Sequence, residues 1–408
     1  MPDSQSVFQP ATQDDLAQFV TENATNARRC LLPIGGGTAC RDAATDDAIE
    51  VRLDKLNRVI DYPARDMTIT VEAGIRMAEL AKILAAENQR LPIDVPHAEQ
   101  ATLGGVIATN WSGSRRFGCG TIRDYVIGIS AIDASGKRFS AGGRVVKNVA
   151  GYDLCKLLVG SRGTLAIISQ VTLKLRPMAE TSALVTLTFD SLCQVDAVLN
   201  RVLTSATRPR VLDVLGRMGT LARPNEETGR SAHPPQLIVG FEGASRETDW
   251  QIETLLAECR PFEPRTTGSF VGAAAEPLWS MLRDFSIGSK SSVTFKASLP
   301  PSRTCEFLRL ATETGIVAQA HAGNGIVNGH LPDRVSKAEQ AFAAIKPLGD
   351  LVRSCGGHLS LLRAPSGWPA LDVAADSWAE SLAWAQRLKR QLDPHNLLNP
   401  GVMAFGPA

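Results

Sequence analysis

What this chain lacks first is an excess of charge of either sign. Its 43 lysines and arginines stand against 42 aspartates and glutamates, a formal net charge of +1. A protein that reads a nucleic-acid backbone carries a basic face or tail. None is found, so no nucleic-acid partner is expected. Paired cysteines are missing as well. Cys30, Cys40, Cys119, Cys155, Cys193, Cys259, Cys305 and Cys355 lie far apart, with no C-x-x-C among them. That spacing argues against an iron–sulfur cluster or a cysteine zinc site. No apolar run approaches the roughly 20 residues of a membrane span. The opening Met1-Pro2-Asp3-Ser4-Gln5-Ser6 lacks the basic and apolar regions of a secretory signal. The expectation is a reduced, cytoplasmic protein whose scattered thiols mostly fill core space.

What is present is a globular composition, 44% apolar and 21% charged over 408 residues, long enough for two or three domains. Leu16, Phe19 and Val20 fall at helical spacing within 10–28. Residues 30–34, 48–53 and 67–71 read as strands. After Gly74, a helix places Met77, Leu80, Ala81 and Leu84 on one face. Residues 126–140 read as a hairpin turning at Ser135-Gly136, and 164–175 as a further strand pair ending at Pro177. A first domain is therefore expected over 1–178. Residues 179–370 mix strands (183–189, 236–242, 293–299) with helices, as a second unit. Residues 371–408 hold a helix over 376–392, with Trp378, Leu382, Ala385 and Leu392 on one stripe, and a fixed-conformation tail, Asp393-Pro394 to Pro400-Gly401.

Three glycine-rich blocks punctuate the first 170 residues: Pro33-Ile34-Gly35-Gly36-Gly37-Thr38, Ala101-Thr102-Leu103-Gly104-Gly105 running on to Asn110, and Gly160-Ser161-Arg162-Gly163-Thr164-Leu165. Glycine permits positive φ and close ligand approach. Three such sites suggest a long ligand lying across several loops; the plainer alternative is three ordinary turns. The first block is not a Rossmann fingerprint, because Cys40 stands at the third glycine position and no apolar-faced helix follows. It is not a P-loop, lacking the lysine. A loop between strands remains, whose N–H groups can form an anion-binding nest, with Thr38 adding a hydroxyl. The second block has the same character: Pro92, Asp94 and Pro96 stiffen its approach, and Gly104-Gly105 leaves room for a flat ring.

These blocks resemble the three flavin-contacting segments of the vanillyl-alcohol-oxidase, or PCMH-type, FAD-binding domain. The run Gly143-Arg144-Val145-Val146-Lys147-Asn148-Val149-Ala150-Gly151-Tyr152-Asp153-Leu154 and the tail Asp393-Pro394…Leu398-Asn399-Pro400-Gly401 are similar to the branch containing D-lactate dehydrogenases and bacterial glycolate oxidases. The resemblance implies an α+β fold. It comprises a PCMH-type FAD-binding domain of two α+β subdomains, an α+β cap with an antiparallel sheet, and a C-terminal segment returning to the flavin. It implies that Pro33, Ile34, Gly35, Gly36, Gly37 and Thr38 hold the FAD pyrophosphate. Pro96, Thr102, Gly104, Gly105 and Asn110 would line flavin and diphosphate, Gly163 and Ile167 the adenosine end, and Asn399 would reach the flavin. Relatives with covalent flavin carry a histidine in the first loop; none is here, so noncovalent FAD is expected.

Catalytic relatives also carry H-x-G-D-G-N-x-H and a later Glu-His-Gly, which bind a divalent metal. Here the stretches read His321-Ala322-Gly323-Asn324-Gly325-Ile326-Val327-Asn328 and Cys355-Gly356-Gly357-His358. Asn324, Asn328 and Gly357 replace ligands, His330 being a substitute only in principle, so no metal site is expected. His321 and His358 read either as structural imidazoles bonded to backbone or as general bases. Arg283, in Leu278-Trp279-Ser280-Met281-Leu282-Arg283-Asp284, reads either as a substrate-carboxylate anchor or as a solvated helix residue; Lys296 is a second cation for that task.

An intact FAD frame with a depleted metal motif most resembles the FAD-binding accessory subunits of bacterial glycolate oxidases. That implies partners, a catalytic FAD subunit and an iron–sulfur subunit. Together they would oxidise a small 2-hydroxy acid, glycolate with D-lactate as a second candidate, and pass electrons towards quinone, with peripheral attachment to the inner membrane through the complex. Two further readings stay open: a flavin-holding assembly subunit without chemistry of its own, and a self-sufficient D-2-hydroxyacid dehydrogenase.

Overall fold

The computed structural model describes residues 6–38, 47–143, 153–216, 234–286, 293–332, 335–365, 368, 372–374 and 379–402. Residues 144–152 of the Gly143–Leu154 run, and Trp378, lie outside them. The chain divides into two compact units. One comprises Met1–Ser112, Gly120–Met178 and Ala379–Ala408; the other comprises Gly113–Cys119 and Ala179–Trp378.

The first unit holds two layers. Strands Ser6–Phe8, Ile49–Arg52 and Leu31–Ile34 form a parallel sheet with Ile49–Arg52 in the middle. The helix Gln13–Thr25 starts three residues later than residue 10 because Thr12 and Asp15 form a reciprocal capping box there. Its Leu16 and Val20 pack with Leu31, Val51, Ile167 and Leu398. The second layer is an antiparallel sheet in the order Val59–Asp61, Thr68–Glu72, Ile167–Lys174, Val126–Ile132, Arg138–Gly142. The last two strands are the expected hairpin, with Gly136 at φ +87°. The strand pair expected over 164–175 is one strand, Ile167–Lys174, in mid-sheet. Its Ile-Ile-Ser-Gln-Val-Thr-Leu-Lys run contains no glycine, proline, asparagine or aspartate, so the chain passes straight through. Helix Met77–Ala86 buries Met77, Leu80 and Leu84, whereas Ala81 is exposed. The C-terminal helix Ala379–Leu392 packs Leu388 and Leu392 against this layer's core.

The second unit is a nine-stranded antiparallel sheet, ordered Thr266–Val271, Thr181–Thr188, Gln236–Gly243, Val211–Leu215, Val317–His321, Ile326–His330, Thr294–Ser298, His358–Arg363, Asp372–Ala374. Strand side chains alternate between faces. One face is apolar: Val185, Leu187, Val214, Val239, Phe241, Phe295, Ala297, Ala320, Val327 and Leu359. Helices Leu192–Leu203, Thr304–Glu313 and Ala338–Ser354 add Val195, Val198, Phe307, Leu308, Ile345 and Leu348 to the same cluster. On the opposite face helix Glu276–Asp284 seats Leu278, Trp279 and Leu282 over Leu184, Val211, Leu215 and Ile238. Among the described residues all cysteines are free. Cys155, Cys259 and Cys305 are buried, and burial pushes their thiols up to about 11, about 11 and about 12; they are packing groups rather than nucleophiles.

Candidate functional sites in the two units

In the first unit the strand Leu31–Ile34 runs out into Gly35-Gly36-Gly37-Thr38. A Cβ on Gly35 would stand 2.0 Å from Thr102 Oγ1, and one on Gly36 would stand 1.8 Å from the Gln100 carbonyl oxygen. Both glycines are therefore required by contact with the second block. Gly37 is different: its φ is +69° and, among the described residues, nothing lies within 4 Å of where its Cβ would stand. Among the described residues, the N–H groups of Gly35, Gly36, Gly37 and Thr38 make no backbone hydrogen bond. Successive uncommitted N–H groups beside an open edge suit an anion.

The second block departs from the loop character expected of it. Thr102 caps a helix, Leu103–Thr109, so Gly104 and Gly105 lie in its first turn. Leu103 N–H donates to Ile75 O (2.9 Å) and Gly104 N–H to Ala73 O (2.7 Å), while Gly105 N–H points to Thr102 Oγ1 at 3.4 Å. These donors are spent inside the protein. A Cβ on Gly104 would press on Ala73 at 2.9 Å, so this glycine is a packing requirement. Pro96 is buried in the turn leading to the block, one residue before His97, whose carbonyl accepts from Gln100 and Ala101.

At the end of that helix Asn110 adopts φ 49°, and the third block docks on it: Gly160 N–H donates to Ile107 O (3.0 Å) and Arg162 N–H to Ala108 O (2.7 Å). Asn110 Oδ1, Trp111 Nε1, Ser112 Oγ and Ser161 Oγ are buried without a hydrogen-bond partner among the described residues. Buried polar atoms are normally paired, so four around one junction fit a polar ligand. Gly163 has φ +70°, and a Cβ there would meet Asn399 Nδ2 at 2.9 Å. Asn399 Nδ2 donates to Arg162 O (2.7 Å), and its N–H donates to Leu31 O (2.9 Å). Ile167 is fully buried in the core with Leu31 and Leu398; its side chain is packing beneath these loops. Uncommitted N–H groups, orphaned polar atoms and glycine-lined approaches thus meet in one unit, and they fit a dinucleotide such as FAD.

In the second unit, cross-strand register places Asp213, Gln319, His321, Ile326, Asn328, His330, Lys296, Ser298, His358 and Ser360 on one sheet face, opposite the apolar core. His321 is not bonded to backbone, as its structural reading held. Its Nδ1 donates to Asp213 Oδ1 at 2.8 Å, and Asn328 Nδ2 lies 3.4 Å from its Nε2. Asp213 Oδ2 also accepts from Ser114 Oγ (2.6 Å) and Gln319 Nε2 (2.8 Å). Asp213 was not singled out in the sequence. Its signal is a lone carboxyl in the apolar strand Val211-Leu212-Asp213-Val214-Leu215, a residue type rarely buried unpaired.

His330 shares the face of Asn328. Its Nε2 donates to the Phe285 carbonyl oxygen at 2.6 Å, and burial holds its pKa below the ordinary histidine value. His358 starts the strand His358–Arg363, paired with Ser298. Three strand spacings of ~4.8 Å separate it from His321, about 14 Å. Arg283 is half-buried with the Nε–Nη2 edge of its fork on Asp284 (3.1 and 3.2 Å) and Ser280 (3.1 Å). Lys296 is in register with Asn328 and Ser360. Gly357 is tightly packed, since a Cβ there would lie 2.4 Å from Ser298 O. Among the described residues no group of three or more His, Cys, Asp or Glu could hold a metal ion, and no helix is long and apolar enough to cross a membrane.

Comparison with known proteins gives two family models. An FAD binding domain matches residues 4–142, and the C-terminal domain of FAD linked oxidases matches 373–403. The chain is 36% identical to glycolate oxidase subunit GlcE of Escherichia coli over 368 residues, 88% of this chain and 87% of that protein. It is 24% identical to glycolate oxidase subunit GlcD of Bacillus subtilis over 99% of this chain and 89% of that protein. It is 27% identical to a D-lactate dehydrogenase of Archaeoglobus fulgidus over 90% and 84%. Its fold is that of an alkyldihydroxyacetonephosphate synthase structure, with a TM-score of 0.68 at 19% identity, covering 97% of this chain and 75% of that one.

Proposed function

Because the chain belongs to the FAD-linked oxidases, we propose that it is the FAD-binding subunit of a glycolate oxidase. That complex would oxidise glycolate, and D-lactate as a second substrate, to the 2-oxo acid, with electrons leaving through an iron–sulfur subunit to quinone. The observation that carries this reading is the 36% identity to a GlcE subunit, against 24% to a GlcD subunit and 27% to a D-lactate dehydrogenase. The partners are then a catalytic FAD subunit and an iron–sulfur subunit. The chain works in the cytoplasm and meets the inner membrane through them.

Bound FAD supplies hydride acceptance from the substrate and one-electron release to the carriers that follow. In our reading Gly35, Gly36, Gly37 and Thr38 bind its pyrophosphate through N–H groups and a hydroxyl. Asn110, Ser112 and Ser161 satisfy their buried oxygens on the cofactor. The attachment is noncovalent, since the first loop offers no histidine. If this subunit itself turns over, Arg283 and Lys296 are the cations for the substrate carboxylate. His358 and His321 are the histidines for taking the hydroxyl proton, His321 with its Nδ1 held by Asp213.

A second reading, a flavin-holding subunit without turnover, is favoured by one observation: Asn324, Asn328 and Gly357 stand where catalytic relatives carry ligands. Anaerobic titration of the FAD-loaded chain with glycolate separates the two. Bleaching of the flavin absorbance supports turnover on this subunit, and an unchanged spectrum supports the holding role. Acid denaturation first establishes the cofactor: flavin released to the supernatant means noncovalent FAD, and a colourless protein ends both readings.

A further inference from the structure

Lys389 and Asp393, four residues apart at the end of the helix Ala379–Leu392, are absent from the functional roles given so far. The Lys389 ammonium points its three protons at three acceptors: Thr164 O at 2.8 Å, Leu398 O at 2.9 Å and Asp393 Oδ2 at 2.5 Å. Asp393 is buried, and accepts Leu397 N–H on Oδ1 (2.8 Å) and Leu398 N–H on Oδ2 (2.7 Å). Thr164 belongs to the third glycine block, two residues after Arg162, whose carbonyl accepts from Asn399. Leu398 immediately precedes Asn399. One cation therefore holds the two segments that Asn399 bridges.

The tail needs such a clamp. Among the described residues it pairs with the parallel sheet at Leu31 alone, through Leu31 N–H to Leu397 O (2.7 Å) and Asn399 N–H to Leu31 O (2.9 Å). The other buried backbone groups require partners, and Asp393 and Lys389 supply them. A half-buried ammonium is tolerated because all three of its donors are used. Burial pulls the Lys389 pKa down while Asp393 opposes the fall. A compact ammonium can serve three convergent acceptors; the planar arginine fork cannot take its place.

We propose that Lys389 is a positioning residue of the cofactor site. It acts through Thr164 and Leu398 to hold Asn399 and the Gly160–Gly163 turn where FAD meets them. This rests on the reading that those residues contact FAD. The test measures FAD affinity, by quenching of flavin fluorescence, and the thermal midpoint of the apoprotein, for wild type, Lys389→Met, Asn399→Ala and the double variant. Lys389→Met should weaken FAD about tenfold or more. The double variant should lose little beyond the larger single loss, because both changes disturb one contact set. Wild-type FAD affinity in folded Lys389→Met, or losses that multiply in the double variant, would overturn the proposal. If Lys389→Met does not fold, Lys389→Arg keeps the charge beside Asp393 and should still weaken FAD with a near-wild-type apoprotein midpoint; unchanged affinity there also overturns it. Unchanged affinity in Asn399→Ala, with loss in either Lys389 variant, would remove Asn399 from the cofactor contacts and leave Lys389 acting through the third block.

Discussion

The Nδ1 of His321 lies 2.8 Å from Oδ1 of Asp213, and both side chains are buried. Asp213 thereby fixes the proton of His321 on Nδ1 and leaves Nε2 facing the Asn328 amide. The imidazole that begins the depleted metal motif is thus held as part of a five-residue hydrogen-bonded network with Ser114, Gln319 and Asn328. Such a network is worth most when every member is satisfied.

Asp213→Ala removes the shared acceptor and strands the Ser114 hydroxyl and the His321 N–H in a buried setting, while Gln319 Nε2 keeps the Leu282 carbonyl at 3.2 Å. A loss of about 3 kcal/mol is expected. Urea unfolding of the FAD-loaded protein measures it. A change below about 0.5 kcal/mol, the scale of a surface substitution, would mean the network contributes nothing.

The two open-loop glycines should fail in different ways. Gly36→Ala drives a methyl into the Gln100 carbonyl oxygen at 1.8 Å, so both the apoprotein midpoint and FAD binding should fall. Gly37→Ala meets no atom, and only its positive φ opposes the side chain, a strain of about 1 kcal/mol. Its apoprotein should stay near wild type while FAD affinity drops severalfold, because the open edge is the ligand side. Equal behaviour of the two variants in both measurements would contradict this division.

His330 gives a pH dependence with a definite sign. Its folded pKa is lowered, chiefly by burial, from 6.5. Above pH 6.5 it is neutral in both folded and unfolded chains and its stabilising contribution is complete. As pH falls below 6.5 the unfolded chain binds the proton first, so stability is lost until the folded pKa is reached. His330→Gln can still donate to the Phe285 carbonyl but cannot titrate. Its unfolding free energy should therefore fall less between pH 6.5 and about pH 5 than that of wild type. Parallel curves would show that His330 does not drive the acid loss.

Local signals made much of the fold legible. Ser135-Gly136 marks the hairpin, and the spacing of Leu16 and Val20 marks the helix Gln13–Thr25. The strands read over 183–189, 236–242 and 293–299 are present in the second unit as Thr181–Thr188, Gln236–Gly243 and Thr294–Ser298. What failed was non-local. Gly104 reads as a ligand-facing loop glycine, yet Ala73 against it makes it a packing glycine in a helix. Asp213 lies 108 residues from His321, and only strand pairing joins them. Asn399 reaches Arg162 across 237 residues through a clamp whose lysine sits in an ordinary amphipathic helix. Composition carries no trace of such pairings, because register and burial are set by the whole sheet.

No essential metal is expected. His321 and His358 stand about 14 Å apart across three strand spacings, and His330 is four residues along its strand from the partner of His321, about 13 Å. Ligands of one zinc ion must instead converge to roughly 2 Å from it. Elemental analysis should find no stoichiometric zinc or manganese, and a chelator should leave any activity of the complex unchanged; chelator-sensitive activity with bound metal would promote the histidines to ligands.

The remaining prediction concerns which subunit turns over. The chain alone should show little glycolate-dependent flavin reduction, while its removal should disable the complex. A metal that stabilises developing alkoxide charge contributes several kcal/mol, roughly a thousandfold in rate. Asn324, Asn328 and Gly357 replace the groups that would hold one, and the Arg283 fork is already on Asp284. A histidine base does not substitute for it, since general-base catalysis, about 10²–10⁴-fold, is a separate factor that acts alongside charge stabilisation. The deciding comparison is the reconstituted three-protein complex carrying His358→Ala or Arg283→Ala in this chain. Full activity with both variants, at unchanged FAD content and assembly, places the chemistry on the partner. If either substitution abolishes activity while FAD and assembly persist, this subunit performs its own oxidation, and the flavin-holding reading falls.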